Sequence, residues 1–306
     1  MEKFAVYFII EAYVDTKGGI IMKKVAVIAD TTCDLSIELK ERYQIKTFPL
    51  HIHLGDKEYT DGVDISPDDI YRWSDENKAT PKTSAVSPVE AEEALKKALE
   101  EAESVICFCI SDQMSSTGNV LRLAAQELEA EDKVFVIDSK SLSTGIGLQI
   151  IEAAILAEQG MDVKDIVAYI EEIKPRVRAS FVVDTLTYLH RGGRCSGLAA
   201  LAGGALKLHP LISVVDGKML PGKKYRGKMS RVIIDYVKDM ETDLKKAKTD
   251  RVFITHSGCE EEVIEAVRAE LMALDCFKEI LITRAGSVIT SHCGPGTLGV
   301  LFIAGE

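Results

Sequence analysis

The sequence is short of positive charge, and this shortage excludes a large group of partners. Lysine and arginine number 37 against 48 aspartates and glutamates, which leaves a formal net charge of −11. A field of that sign repels nucleic acid unless a basic patch is set apart from it. The one dense basic stretch, from Lys218 to Arg231, is short. We therefore expect no nucleic-acid partner.

The chain also lacks an organised set of cysteines and the local signatures of common cofactor sites. Its seven cysteines are odd in number, and their spacings form no disulfide framework. We expect free thiols in a reducing cytoplasm. There is no H-E-x-x-H, paired C-x-x-C or G-x-S-x-G segment, and no G-x-G-x-x-G follows the first predicted strand. The sequence therefore predicts no metal site and no cofactor.

Long apolar runs are missing as well. The apolar run from Phe4 to Ile10 is stopped by Glu11 and is far below the about 20 residues that a membrane span needs. We interpret residues 1–21 as an N-terminal extension outside the fold, because Met22 and the lysines after it lead directly into a strand pattern. We expect a cytoplasmic protein without stable membrane insertion.

What the chain does contain is a regular alternation of strand and helix patterns. With 306 residues, of which 46% are hydrophobic, it is long enough for two cores of ordinary size. The alternation predicts a largely parallel sheet flanked by helices, and the pattern changes after Pro175. We predict an α/β fold of two domains. Residues 22–165 carry the parallel sheet, and residues 166–306 form a second, smaller α/β domain.

Some local elements are predicted with a physical reason. Ser66 before a proline, and Ser87 with Glu90 three residues later, are typical helix starts. The segment from Thr144 to Gln159 is apolar on most faces, which predicts a deeply buried helix. The pair Asp216-Gly217 favours a hairpin turn.

Two longer segments are predicted as unbroken elements. Thr47 to Leu54 is interpreted as one strand. Apolar residues at helical spacing predict one helix from about Lys228 to Ala247, with a strand from Val252 after it.

Two pairs of hydroxyl residues lie where such a fold places its ligand. Thr83-Ser84 precedes a capped helix, and Ser115-Ser116 lies between a strand and a helix. Loops at the carboxyl ends of parallel strands gather at one edge, and helix N-termini there offer free N–H groups to an anion. Without a general base beside them, these hydroxyls suit holding a carboxylate better than attacking a carbonyl. The alternative is that they are simple helix caps.

A histidine segment and an arginine segment are further candidates. His292 to Gly296 is interpreted as a tight turn after an apolar strand and before a helix. It is either part of a site or a structural turn with an incidental histidine. Arg191 to Arg194 could bring guanidinium groups onto a phosphate or carboxylate. The alternative for this segment is a helix end whose basic residues match the helix dipole.

One segment comes close to a phosphate-binding loop. Gly222 to Lys228 fits its glycine and lysine positions, but Met229 stands where magnesium binding needs a hydroxyl. Pro221 also interrupts the strand before it. Nucleotide hydrolysis by this chain is therefore not expected.

Taken in order, these pieces resemble the DegV family along nearly the whole chain from about Val25. A single piece is a weak signal, whereas the ordered set is specific. The matching pieces are Asp30 to Leu35, Asp61-Gly62, Thr83-Ser84, Ser87-Pro88, Ile110-Ser111, Ser115 to Thr117, Asp138-Ser139, Thr185-Leu186, Gly192 to Arg194, Arg226-Gly227, His292 and Gly294 to Gly296.

The resemblance implies that one long-chain fatty acid is bound in an internal apolar tunnel. It implies that Arg194 and Arg226 lie near the exposed head group and serve its presentation to a partner. In the family, that partner is a separate ATP-binding subunit of a two-component fatty acid kinase. This chain would then be a lipid carrier without a catalytic nucleotide site of its own. The resemblance implies that the hydroxyls of Thr83 and Ser115 bind the carboxylate, with His292 near it. We predict that Ser84 and Ser116, beside these hydroxyls, also belong to the carboxylate site.

Two other functions stay open. A serine hydrolase or acyltransferase would use Ser115 with His292 or His256, and it would need a carboxylate that orients the base and an oxyanion hole. A lipid-sensing regulatory protein would bind the same ligand without a kinase partner.

Overall fold

A computed structural model gives the fold of residues 22–195 and 208–305. The predicted N-terminal extension, residues 1–21, lies outside the described residues, and so does the glycine-rich segment after Cys195. Within the described ranges the strands form one parallel, one mixed and one antiparallel sheet. No helix in these ranges is both long enough and apolar enough to cross a bilayer.

The first half of the chain confirms the predicted parallel sheet flanked by helices. Its strands are β1 (Lys23–Asp30), β2 (Lys46–Phe48), β3 (His51–Leu54), β4 (Lys57–Thr60), β5 (Lys82–Ser84), β6 (Ala102–Cys109) and β7 (Val134–Asp138). Its helices are α1 (Ile37–Arg42), α2 (Pro67–Asn77), α3 (Pro88–Leu99), α4 (Thr117–Glu127), α5 (Thr144–Glu158) and α6 (Val163–Ile173). The parallel sheet has the order β2-β1-β6-β7, and a small antiparallel sheet has the order β4-β3-β5. Buried clusters cover both faces of the parallel sheet, with α5 and α6 on one side and α3 and α4 on the other.

The segment between Thr47 and Leu54 forms two strands. The prediction of a single strand is wrong, because β2 pairs in the parallel sheet and β3 in the antiparallel one. Pro49 lies between them, and proline has a fixed φ and no N–H to donate to a strand partner. The chain therefore changes sheets at this residue.

The helix starts at Ser66 and Ser87 are confirmed as capping boxes. The Ser87 hydroxyl oxygen accepts the Glu90 N–H at 3.3 Å, and the Glu90 carboxylate accepts the Ser87 N–H at 3.0 Å. Because Ser87 caps α3, the preceding Thr83 and Ser84 are not needed as caps of that helix.

The second half forms a second α/β domain. Its strands are β8 (Val177–Val182), β9 (Leu208–Val215), β10 (Lys218–Arg226), β11 (Ala247–His256), β12 (Glu279–Arg284) and β13 (Leu298–Ala304). Its helices are α7 (Thr187–Gly192), α8 (Met229–Asp239), α9 (Glu241–Leu244), α10 (Glu261–Ala273) and α11 (Ser287–Cys293). The described strands have the order β10-β9-β8-β13-β11-β12. The hairpin turn is confirmed, with φ of +48° at Asp216 and +79° at Gly217. Most of the segment from Gly222 to Lys228 lies in β10, so it forms a strand instead of a phosphate-binding loop.

The helix predicted from Lys228 to Ala247 is wrong in its length. The chain leaves α8 after Asp239, makes the short helix α9, and has entered β11 by Ala247. Val237 and Leu244 are both buried, and their separation in sequence is the spacing expected for one face of a single helix. The helical period therefore continues across the break and hides it.

Helix α5 joins the two halves. Every residue from Thr144 to Ala154 is buried, which confirms the predicted deeply buried helix. The helix contacts β1 of the first half, and β8 and β13 of the second. Glu152 in this helix also pairs with Lys248, at 2.5 Å, and with Arg251, both on β11.

The division between the halves needs one adjustment. The predicted boundary after residue 165 falls inside α6. Because α6 packs against α5 and β6 of the first half, we propose that the division lies at residues 174–176, a 3-10 turn before β8.

Candidate functional site

A cavity of about 270 Å³ opens between the two halves, at the carboxyl ends of the parallel strands. The segments that follow β2, β6 and β7 line it, together with β5, β10, α11 and the residues after α7. Its polar lining comes from Thr83, Ser84, Ser115, Ser116, Arg194 and His292. Its apolar lining comes from Leu50, Ala85, Ile110, Met114, Leu142, Met219, Val288, Ile289 and Cys293.

Thr83 and His292 come from opposite halves and meet in this cavity. Thr83 lies in β5, where it pairs with Ile52 of β3, and His292 lies in the last turn of α11. The Thr83 hydroxyl oxygen and His292 Nε2 are 2.8 Å apart and share a hydrogen bond whose direction depends on the tautomer. The structure thus joins two candidate residues that are 209 positions apart in sequence.

The elements around His292 differ from the sequence-based expectation. The prediction of a strand before His292 and a helix after it is wrong, because α11 precedes the turn and β13 follows it. Val288, Ile289 and Thr290 are β-branched and buried, and such residues favour strands when tertiary contacts are unknown. Gly294, with φ of +77°, ends the helix, as glycine commonly does.

The imidazole of His292 is uncharged at neutral pH. Burial, and secondly the positive charge of Arg194, lower the pKa of His292 to about 4. Its Nδ1 atom is buried and has no hydrogen-bond partner among the described residues. The ring therefore offers one donor and one acceptor without a net charge.

The lack of a side chain at residue 192 leaves room for this imidazole. A Cβ atom on Gly192, at the end of α7, would lie 2.4 Å from His292 Nδ1. Gly192→Ala is therefore expected to displace the ring from Thr83 and to lower the free energy of unfolding by about 1–3 kcal/mol. NMR of the His292 ring and thermal unfolding check the two effects. Gly222→Ala, whose added Cβ meets nothing closer than 3.5 Å, is the control, and an unmoved ring in Gly192→Ala would contradict the prediction.

Ser115 and Ser116 lie in the loop between β6 and α4. The hydroxyls of Ser115 and Thr117 are 2.9 Å apart, and the Ser115 oxygen also accepts the Thr117 N–H at 3.3 Å. Ser116 directly precedes α4, but its side chain makes no capping bond. Ser84 is exposed at the end of β5, where its hydroxyl bonds to His53 Nε2 at 3.0 Å. The helix-cap alternative therefore finds no support at Ser84 or Ser116.

Arg194 and Arg226 do not lie together. Arg194 lines the cavity, and its guanidinium donates to the Gly192 carbonyl at 2.7 Å. Arg226 ends β10, whereas Met219 near the start of that strand lines the cavity. At about 3.3 Å per residue, these two positions are roughly 20 Å apart. The structure thus brings Arg194, and not Arg226, to the cavity.

The arginine segment is also a helix end. Helix α7 stops at Gly192, and Gly193 follows it in the left-handed conformation with φ of +66°. The helix-end alternative for Arg191 to Arg194 is confirmed, and it coexists with a position for Arg194 at the cavity.

Nothing in the sequence indicates that the apolar residues of the cavity wall belong to a binding site. Leu142, Met219 and Ile289 come from three distant segments, and each has the character of a residue in a packed core. A second cavity of about 20 Å³ also lies between the halves and shares Leu142, Ile289 and Cys293 with the first. Phe181 of β8 lines this smaller cavity.

The arrangement does not support hydrolysis by a serine nucleophile. His292 bonds to Thr83 rather than to Ser115, and His256 Nδ1 accepts the Cys259 N–H at 3.3 Å. No carboxylate within the described part of the chain bonds to either imidazole, so these residues form no serine, base and acid triad. Residues 22–195 and 208–305 also contain no group of three or more His, Cys, Asp or Glu side chains that could hold a metal ion.

Comparison with known proteins finds relatives that match the chain almost from end to end. The family model described as "Uncharacterised protein, DegV family" matches residues 24–305. A DegV domain-containing protein from Deinococcus radiodurans is 35% identical over 277 residues, which cover 90% of this chain and 97% of that protein.

Solved structures show the same fold. A DegV family protein from Thermus thermophilus, reported for its fatty acid binding, matches with a TM-score of 0.85 at 31% identity and covers 92% of this chain and 99% of that one. A stearic acid-binding protein from Eubacterium ventriosum matches with a TM-score of 0.79 at 27% identity, over 93% of this chain and 98% of that one. Both likenesses extend over the two halves.

Proposed function

This chain belongs to the DegV family, and from that premise we propose that it binds one long-chain fatty acid in an internal apolar tunnel and presents its carboxylate. The observation that carries the proposal is that the cavity wall is divided into a polar part and an apolar part. Hydroxyl, imidazole and guanidinium groups form one part, and apolar side chains form the rest. A ligand with an anionic head and an apolar tail fits that division. The fatty-acid binding reported for the T. thermophilus and E. ventriosum proteins supports the same ligand class.

The head group is proposed to lie between Thr83, Ser115 and His292. Both hydroxyls can donate to a carboxylate oxygen, and a hydrogen bond to a charged group contributes about 1.5–3 kcal/mol. The imidazole adds an uncharged donor beside them, and a bound carboxylate would raise the lowered pKa of His292. Ser84 and Ser116, which are more exposed, complete the polar part of the cavity.

The tail is proposed to run along Leu142 and Ile289 towards the smaller cavity. These two residues and Cys293 border both cavities, so a chain that leaves the head-group site passes them before it reaches Phe181. About 15 buried methylenes contribute roughly 0.8 kcal/mol each, or about 12 kcal/mol gross. Ordering and desolvation offset much of this. Affinity would therefore come from the tunnel, and orientation from the polar groups.

The presented carboxylate is proposed to be phosphorylated by a separate ATP-dependent fatty acid kinase, so that this chain is its lipid-carrying subunit. The exposed guanidinium of Arg194 at the cavity supports this role, because its charge is available to an incoming phosphoryl group. Arg226, which lies away from the cavity, is assigned to contact with the partner. We propose a cytoplasmic location, where ATP and the kinase are present.

The protein is expected to purify with one fatty acid per chain. Organic extraction followed by mass spectrometry identifies the ligand, and quantification against protein gives the stoichiometry. Ile289→Glu, which places a carboxylate in the apolar wall, is expected to lose the ligand. The exposed Leu123→Glu is the matched control and should keep it. Wild-type protein that yields no fatty acid, and takes none up from solution, would contradict the proposal.

A further inference from the structure

Two aspartates of the first half hold the start of helix α11 in the second half. Asp34 Oδ1 accepts the Gly286 N–H at 2.8 Å, and Asp61 Oδ1 accepts the Ser287 N–H at 2.9 Å. Both aspartates are buried, at 6% and 3% exposure. N–H groups at a helix start have no partner inside the helix, so each of these bonds satisfies a donor and joins the two halves.

The two aspartates reach the helix from separate segments. Asp34 follows the turn after β1 with φ of +50°, and its second oxygen accepts the Ser143 hydroxyl at 2.5 Å, directly before α5. Asp61 follows β4 and forms an isolated bridge with Ile65. Two anchors on different segments restrict both sliding and rotation of the helix start, which one anchor alone would not do.

The same helix carries the groups that the lipid site uses. Val288 and Ile289 line the cavity immediately after the anchored residues, and His292 faces Thr83 one turn later. With seven residues, α11 has little stability of its own. Its position is therefore set by the groups to which it is bonded and against which it packs.

We propose that Asp34 and Asp61 are positioning residues for lipid binding, because they hold α11 where His292 meets Thr83 at the head-group site. This inference rests on the proposed function. Neither aspartate lines the cavity, so both act through the backbone of α11 and not by contact with the lipid. Their role is that of a clamp between the halves at the start of the helix, whereas the residues that line the cavity follow along the rest of it.

An amide can take the place of the Asp34 carboxylate. Burial raises the pKa of Asp34 to about 8, which favours an uncharged group at this position. Asparagine has the same shape, its carbonyl oxygen can accept the Gly286 N–H, and its amide can donate to the Ser143 hydroxyl. Alanine can do neither. The two substitutions therefore separate the bond to α11 from the volume of the side chain.

Asp162 supplies the control. It also accepts a backbone N–H at a helix start, that of Lys164 at 3.0 Å in α6, but it does not line the cavity. A change at Asp162 thus removes a capping aspartate without touching α11.

The test measures two quantities: the Kd for stearate, and the NMR resonance of the His292 ring in lipid-free protein. Asp34→Ala and Asp61→Ala are expected to bind stearate about 10-fold more weakly and to shift the resonance, because the ring leaves Thr83. Asp34→Asn and Asp162→Ala are expected to keep both quantities close to those of the wild type. If asparagine at residue 34 restores the stearate Kd and the His292 resonance, the bond to α11 is the property of Asp34 on which lipid binding depends.

Folded alanine variants with an unmoved His292 resonance would overturn the proposal. Where the alanine variants do not fold, hydrogen exchange of the wild type decides. The amides of Gly286 and Ser287 are expected to be protected in lipid-free protein, and exchange as fast as that of an open loop would overturn the proposal. A wild type that binds no fatty acid would instead remove the proposed function, and the resonance measurements would still test the clamp.

Discussion

Alanine at both Thr83 and Ser115 is expected to weaken fatty-acid binding by about two to four orders of magnitude while the fold survives. Each hydroxyl that donates to the carboxylate contributes about 1.5–3 kcal/mol, or about 3–6 kcal/mol for the pair. The apolar wall is unchanged, so the tail keeps its contacts. The cost in stability is modest, because the variant loses the Thr83 bond to His292 Nε2 and the Ser115 bond to the Thr117 N–H, each of which contributes about 1 kcal/mol.

Displacement of a fluorescent fatty acid gives the Kd, and thermal unfolding reports the fold. Thr60→Ala combined with Ser230→Ala removes the same two kinds of hydroxyl at positions that do not line the cavity, and it should leave the Kd unchanged. The two single variants should add up to the double variant if the hydroxyls act independently. An unaltered Kd in the folded double variant would place the head group elsewhere.

Arg194→Ala is expected to lower acyl-phosphate formation per bound lipid by about 100-fold or more, while lipid affinity changes only a few-fold. Charge builds on the phosphoryl group during transfer, and positioned arginines contribute about 10³–10⁵ in related reactions. The side chain is exposed and is held by the Gly192 carbonyl, so the apolar wall of the cavity depends little on it. The measurement pairs stearate affinity with acyl-phosphate formed when the cognate kinase and ATP are in excess.

Arg226→Ala should lower transfer for a different reason. It lies roughly 20 Å along β10 from the cavity, so we expect it to contact the partner and not the phosphoryl group. The loss should therefore disappear when the carrier is raised to saturation, whereas the loss in Arg194→Ala should persist. Arg231→Ala on α8, an exposed arginine 3.7 Å from Asp235, is the control. Arg194→Ala that loses lipid binding, with transfer per bound lipid unchanged, would place Arg194 in the pocket instead.

Features decided by near neighbours could be predicted from the sequence. Ser87 and Glu90 interact across one helical turn, and Asp216 and Gly217 form a turn by themselves. The position of Ser115 at the edge of the parallel sheet follows from strand and helix alternation, because loops after parallel strands gather at one edge. None of these features depends on which distant segment packs nearby.

Features decided by distant contacts could not be predicted in this way. The sequence of α11 favours a strand, and its helical form is stabilised by bonds to Asp34 and Asp61, more than 200 positions earlier. The pairing of Thr83 with His292 likewise depends on how the halves meet. Pro49 is an exception, because a proline within the predicted strand could have indicated that the chain changes from one sheet to another.

The two arginines show the limit of grouping residues by resemblance. Arg194 and Arg226 both follow or precede glycines in polar segments, and their sequence surroundings do not distinguish them. Only the structure distinguishes the two arginines. Arg226 lies at the far end of β10, and each residue of a strand adds about 3.3 Å to the distance from its start. Their roles must therefore be tested one at a time.

Because of helix α5, we do not expect the two halves of this protein to fold as separate fragments. Its residues from Thr144 to Ala154 are buried because one sheet covers each side of the helix. A fragment that stops after α6 would expose the side that packs on β8 and β13, and each large apolar side chain left in water costs about 1.5–3 kcal/mol. Glu152 would also lose Lys248 and Arg251. We therefore expect the two sheets to unfold as one cooperative unit, and the cavity between them to form only in the uncut chain.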